Sequence, residues 1–216
     1  EHHSNFIVWL RVRDKKGAVV EVVKPCKPVV KGILDPADFE RLIDDKTKLV
    51  AVTHVSNVLG VIAPVKEIAE IAHEHGAYVL IDGAQSVPHM KVDVQKIGCD
   101  FLAFSGHKMC APTGSGILYI RKEVAEEVEP LCIGGGSIED VGIDYYKLDA
   151  SPRRFEGGTP DIAAAIGLGA AVDYLQKIGM EKIEAHERAL VKEMYEGLTA
   201  LPNVQVYGPE PERRVG

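Results

Sequence analysis

Four short apolar runs, at residues 49–52, 78–81, 101–104 and 116–120, each stop at small, polar or turn residues. Runs of four or five apolar residues without alternation predict strands buried inside a sheet, parallel where a helix links them. Between the first two runs the period lengthens. Val65, Ile68, Ala69, Ile71 and Ala72 recur at helical spacing after Pro64, and Gly76 lies just beyond as a left-handed cap. The pattern predicts a strand, helix, strand unit. Upstream, Asp35 as a capping acid, Pro36 at the first helical position and apolar residues three and four apart up to Ile43 predict a short amphipathic helix. Residues 93–98 read as a short helix or turn, and 122–128 as a brief polar helix. Residues 17–23 alternate weakly and predict a strand. The opening run 5–10 fits strand or helix, because a run that short does not decide. Residues 145–152 are polar and irregular, which predicts a surface excursion. The alanine- and glycine-rich stretch 163–171 predicts a close-packed helix, 181–201 a charged amphipathic helix, and 203–207 a strand. There is no internal repeat and no low-complexity segment.

Composition narrows the class. The 216 residues are 46% hydrophobic and 26% charged, as in soluble globular proteins. A net charge of −7 without a basic stripe argues against a nucleic-acid partner. No apolar stretch approaches the roughly 20 residues of a membrane span, and no signal-peptide pattern precedes the first strand. No membrane partner and a cytoplasmic location are therefore expected. The four cysteines, Cys26, Cys99, Cys110 and Cys132, form no Cys-x-x-Cys pair and no ligand spacing with histidine. Free thiols and no metal follow.

The run at 101–104 leads into Ser105-Gly106-His107-Lys108, and the run at 78–81 into Asp82-Gly83-Ala84-Gln85. Residues that follow the carboxyl ends of neighbouring parallel strands share one edge, where α/β sheets keep their chemistry. An acid and a lysine facing one crevice suit pyridoxal phosphate. The lysine bonds the cofactor aldehyde, and the carboxylate holds the ring nitrogen protonated. Ser105 and His107 add a hydroxyl and an imidazole suited to a phosphate. Singly, a lysine after a strand is a solvated loop residue and Asp-Gly is a turn. The pairing carries the chemistry. His54 reads as a packed or hydrogen-bonded loop residue rather than a catalyst, and Gly134-Gly135-Gly136 as a flexible turn.

These motifs resemble the class V aminotransferase superfamily. Within it, Asp82-Gly83-Ala84-Gln85 and Ser105-Gly106-His107-Lys108-Met109-Cys110-Ala111-Pro112-Thr113-Gly114 are most similar to the SufS-like (group II) cysteine desulfurases. The likeness runs from Glu1-His2-His3-Ser4-Asn5 through Thr53-His54-Val55-Ser56-Asn57-Val58-Leu59-Gly60 to Arg154-Phe155-Glu156-Gly157-Gly158-Thr159-Pro160. It implies a fold-type I PLP-transferase of class α/β. The large domain would span residues 1–175, a mixed, mostly parallel sheet with helices on both faces, and residues 176–216 would open a small α+β domain. Such an enzyme has about twice this length, so the chain reads as a fragment.

The resemblance also implies roles. His2 faces the cofactor ring, and Asn57 reaches the cofactor and the substrate carboxylate. Asp82 pairs with the pyridine nitrogen, while Gln85 donates to the phenolic oxygen. Ser105 and His107 anchor the phosphate, Lys108 is catalytic, and Thr159 reaches the phosphate of the other subunit in a homodimer. The implied activity converts L-cysteine to L-alanine and passes sulfur through an enzyme cysteine to an acceptor protein for iron–sulfur cluster assembly, with selenocysteine as an alternative substrate. The nucleophilic cysteine and an arginine for the substrate carboxylate are expected beyond residue 216, and a phosphate-holding threonine segment before residue 1. Cys110 is two residues past Lys108, too constrained to reach a substrate sulfur, and reads as a packed loop thiol. It stands where the family commonly has tyrosine, and Ala111 where it has glycine. Two other classes fit the same residues: another class V PLP enzyme (an aminotransferase, a selenocysteine lyase or a kynureninase-like hydrolase), or a non-catalytic piece that meets partners without a cofactor.

Overall fold

The computed structural model describes residues 1–26, 28 and 31–215. All four apolar runs become strands of one sheet, in the order β1 (Leu49–Thr53), β2 (Tyr78–Asp82), β3 (Phe101–Ser105) and β4 (Gly116–Ile120). β1, β2 and β3 are parallel, and β4 returns antiparallel along β3. The register sets Thr53 beside Asp82 and Asp82 beside Ala103, so three strand ends share one edge.

The linking helix α3 (Val65–Glu74) follows its apolar period, and Gly76 (φ 71°) turns the chain into β2. A Cβ on Gly76 would meet nothing, so the left-handed backbone and not crowding calls for glycine. Two shorter helices are capped as their sequences predict. Asp35 accepts the Ala37 N–H at the start of α2 (Pro36–Glu40), and Asp93 accepts those of Gln95 and Lys96 before α4 (Val94–Ile97). Each cap stabilises by about 1 kcal/mol.

The core lies between α3 and one face of the sheet. Val50, Val52, Val79, Ile81 and Leu102 meet Ile68, Ala69 and Ala72. Ile68, Val79 and Ile81 are fully buried, each stabilising by about 1.5–3 kcal/mol. The opposite face is only partly covered, and from it Leu80 and Ala103 contribute to the wall of a cleft. The strands therefore read as apolar throughout, although one face alone is sealed.

Asp100, just ahead of β3, ties the other edge together. Fully buried, it accepts Val79 N–H at 2.7 Å and lies 2.9 Å from His73 Nε2. Arg121 Nη2 stands 2.9 Å from its other oxygen as an ion contact, without hydrogen-bond alignment.

Four expectations change or resolve. Residues 17–23 join no ladder, because a weakly alternating segment still needs a neighbouring strand and it pairs with none among the described residues. The opening run is helical: a 3₁₀ turn (His3–Asn5) leads into α1 (Ile7–Lys16), which buries no residue. Residues 145–152 are not irregular throughout. β6 (Tyr146–Leu148) pairs antiparallel with β5 (Ile138–Val141) in a hairpin whose mostly exposed faces left no apolar alternation to read. Residues 203–207 form no strand. Beyond them the chain comes back to the loop after β1, where Val215 N–H donates to Gly60 O (2.9 Å) and Ile62 N–H to Arg213 O (3.1 Å).

A brief helix, α5 (Lys122–Ala125), follows β4. Two long helices, α6 (Ile162–Ile178) and α7 (Met180–Thr199), meet at Gly179 (φ 95°). Among the described residues no helix is long and apolar enough to cross a membrane.

Candidate active site

The carboxyl ends of β1, β2 and β3 open onto a cleft of about 560 Å³, within the ordinary range for small-molecule sites. Asp82 stands at the end of β2, half-buried, with Oδ1 accepting Ala84 N–H at 3.0 Å. The turn that follows is closed by Ser86 and Val87 N–H on Gly83 O, which brings Gln85 to the same opening.

Lys108 comes off β3 through a 3₁₀ turn (Gly106–Lys108). That turn is pinned by Gly106 N–H to Ser115 O at 2.9 Å, and a Cβ on Gly106 would collide with the Ser115 hydroxyl. Behind it, buried Met109 packs against Leu168 and Leu175 of α6, so the lysine's loop is held from below by a helix far along the chain.

Seven of the eight residues singled out in the sequence line this cleft. Asp82, Gln85, Ser105, His107 and Lys108 come from β2, β3 and their turns. His2 and Asn57 come from the opening segment and the loop after β1. Thr159 stands apart, exposed, past the 3₁₀ turn Arg153–Phe155. Beside it Arg154 is committed to structure. Its guanidinium meets Glu126 at 2.6 Å, and the Ser151 N–H together with this arginine holds the Glu126 carboxyl below its ordinary range.

Cys110 corrects an expectation. It is exposed rather than packed, and it does not line the cleft. It takes a left-handed backbone (φ 67°) that few residues other than glycine adopt. His54 is buried and outside the cleft lining; burial pushes its pKa down to about 4, so it is neutral at pH 7.

Sequence reasoning missed Asn5, Trp9 and Thr53, which wall the cleft beside His2. The signal was present but faint: Asn5 and Trp9 are four apart, hence neighbours on a helix, once the opening run is known to be one.

The donor set fits pyridoxal phosphate. A carboxylate, an amine, a hydroxyl and imidazoles face one space of adequate size. Among the described residues the side chains of Asn57, Gln85, Ser105, His107 and Lys108 make no internal hydrogen bond and retain their capacity for a ligand.

The chain is 53% identical over 210 residues to a probable cysteine desulfurase of Halalkalibacterium halodurans, covering 97% of this chain and 51% of that protein. It is 45% identical over 216 residues to a cysteine desulfurase of Haloferax volcanii, covering 100% and 50%. The solved apo structure of cysteine desulfurase from Thermococcus onnurineus NA1 superposes with a TM-score of 0.93 at 48% identity, covering 100% of this chain and 53% of the other. The chain thus spans about half the length of the curated relatives it matches. Residues 1–216 match the family Aminotransferase class-V from end to end, and the chain belongs to that family.

Proposed function

We propose that this chain is the cofactor-binding part of a pyridoxal-phosphate-dependent cysteine desulfurase of the SufS-like group. The observation that carries the reading is the convergence of Lys108 and Asp82, from two strand ends, on one cleft together with His2, Gln85, Ser105 and His107. The group assignment rests on the spelling of the Lys108 and Asp82 motifs. Desulfurase activity is supported by the relatives of that name.

Pyridoxal phosphate, when bound, supplies an electron sink that acidifies the Cα–H of an amino acid. Lys108 Nζ would hold the cofactor aldehyde and would move the proton at the substrate Cα. The Asp82 carboxylate keeps a proton on the ring nitrogen. Ser105 and His107 donate to the phosphate, His2 covers the ring face, and Gln85 donates to the phenolic oxygen. Asn57, at the mouth, orients the substrate carboxylate.

The overall conversion balances as L-cysteine plus an enzyme thiol giving L-alanine plus an enzyme persulfide. The thiol and the carboxylate-binding arginine belong to the remainder of the protein. Exposed Thr159 serves the phosphate of a second subunit, and Ile162, Ile166 and Tyr174 exposed on α6 offer surface for that homodimer. The large domain then runs through residue 175, with residues 176–216 opening the smaller one. The persulfide passes its sulfur to an acceptor protein of iron–sulfur assembly, in the cytoplasm.

The test uses the intact protein supplied with L-cysteine. Equal release of alanine and reducible sulfur, with a yellow absorption band that Lys108→Ala abolishes, is the expected result. Amino-group transfer without sulfur release makes it a different class V enzyme. A colourless protein indifferent to the cofactor makes it a non-catalytic relative.

A further inference from the structure

The segment that brings His2 to the cleft has almost nothing apolar to hold it. α1 buries no residue, and the turn before it buries only Asn5. A polar chain does the holding instead. Trp9 Nε1–H donates to Asn5 Oδ1 at 3.2 Å, and Asn5 Nδ2–H donates to Glu1 Oε2 at 2.8 Å. The other carboxylate oxygen of Glu1 accepts Thr53 N–H, also at 2.8 Å. Thr53 is the last residue of β1 and the register neighbour of Asp82, so Glu1 fastens the opening turn to the strand edge that carries the candidate chemistry.

His2 is itself exposed, and hydrogen bonds of the same turn tie it down. Its carbonyl accepts Asn5 N–H at 3.0 Å, and its Nδ1 accepts Ser4 N–H at 3.2 Å with the Ser4 hydroxyl 2.9 Å away. The ring is fixed locally by Ser4, and the turn that bears it is fixed globally by Glu1.

The direction of the chain dictates the residue at its end. A backbone N–H and an indole N–H can only donate. Asn5 accepts from Trp9 with its oxygen and must therefore donate to Glu1 with its nitrogen. Glu1 has to accept at both oxygens, which an ionised carboxylate does and an amide cannot. A glutamine there sets an NH₂ against either the Asn5 NH₂ or the Thr53 N–H.

We infer that Glu1 is a positioning residue that holds His2 against the bound cofactor by accepting from Thr53 and Asn5 at once. This rests on the cofactor reading above. Glu1→Gln in the intact holoenzyme speeds release of pyridoxal phosphate, followed by loss of the yellow band into a scavenger, by about tenfold, the effect of one misdirected hydrogen bond near a ligand. His2→Ala speeds release by a similar factor, and adding Glu1→Gln to it changes the rate less than about twofold, because both act through one ring. Glu1→Gln combined with Asn5→Asp restores the wild-type rate to within about threefold, since the introduced amide donates to the introduced carboxylate and Thr53 and Trp9 keep their acceptors.

Release unaltered by Glu1→Gln, no recovery in the paired variant, or a further tenfold loss on top of His2→Ala each overturns the role of Glu1 while leaving the cofactor reading intact. An intact protein with no Lys108-dependent band overturns both.

Discussion

Asp82 and Asp100 border neighbouring strands of one sheet and are used in opposite ways. Asp100, at the amino edge, is fully buried, and its carboxylate is taken up by folding: Val79 N–H, His73 and Arg121 surround it. Asp82, at the carboxyl edge, is half-buried, accepts the Ala84 N–H from its own turn, and faces the cleft with Lys108. A buried carboxylate held by a backbone N–H, a histidine and an arginine from the chain organises the chain, because burying it unpaired would be costly. One left with open capacity beside an amine is available to a ligand. The residue type is the same at the two positions, so edge, partners and burial make the difference.

The largest effect expected from this contrast is at the amino edge. Asp100→Ala removes a buried acceptor from Val79 N–H, a hydrogen-bond partner from His73 and a charge partner from Arg121, and costs about 3–5 kcal/mol of folding free energy in urea denaturation. A loss under about 1 kcal/mol breaks the contrast.

His54 comes next and asks whether edge or burial decides. It lies at the carboxyl edge, with its N–H on Asp82 O, yet it is buried, and among the described residues Nδ1 has no partner. Burial lowers its pKa from 6.5 to about 4. The unfolded chain therefore binds the extra proton first as the pH falls. Stability is complete above pH 6.5 and is lost between there and about 4, by about 3 kcal/mol in all. His54→Asn flattens that part of the stability profile. An unchanged slope shows that His54 does not titrate in this window.

The smallest change in folding is expected at Asp82. Asp82→Asn keeps the acceptor for Ala84 N–H and shifts stability by less than about 0.5 kcal/mol, while the visible band of the intact protein changes its intensity or position. A stability loss as large as that of Asp100→Ala, with the band untouched, makes Asp82 a second structural carboxylate.

Much of this contrast could be read along the chain. The runs ending at Asp82 and Ser105 identified the strands and their shared edge, and the lysine loop followed. Asp100 could not be recognised as the structural partner, since His73, Val79 and Arg121 reach it from three separate stretches. The same holds for Met109, whose seat is on α6 some sixty residues later. The misread segments fail for a related reason. Residues 17–23 and 203–207 look extended but find no neighbouring strand, whereas the polar stretch containing β6 finds β5. Pairing, which makes a strand, is not a local property.

The sequence alone determined the parallel strands, the linking helix with its caps, and the residue types of the cleft, because apolar period, capping chemistry and turn residues act over a few neighbouring positions. Only the tertiary structure decided which of two similar aspartates is spent on folding, that Cys110 is exposed outside the cleft lining, and that Glu1 accepts the Thr53 N–H. Those outcomes depend on donors and acceptors brought together from distant stretches, and hydrogen bonding distinguishes them only after the chain has closed.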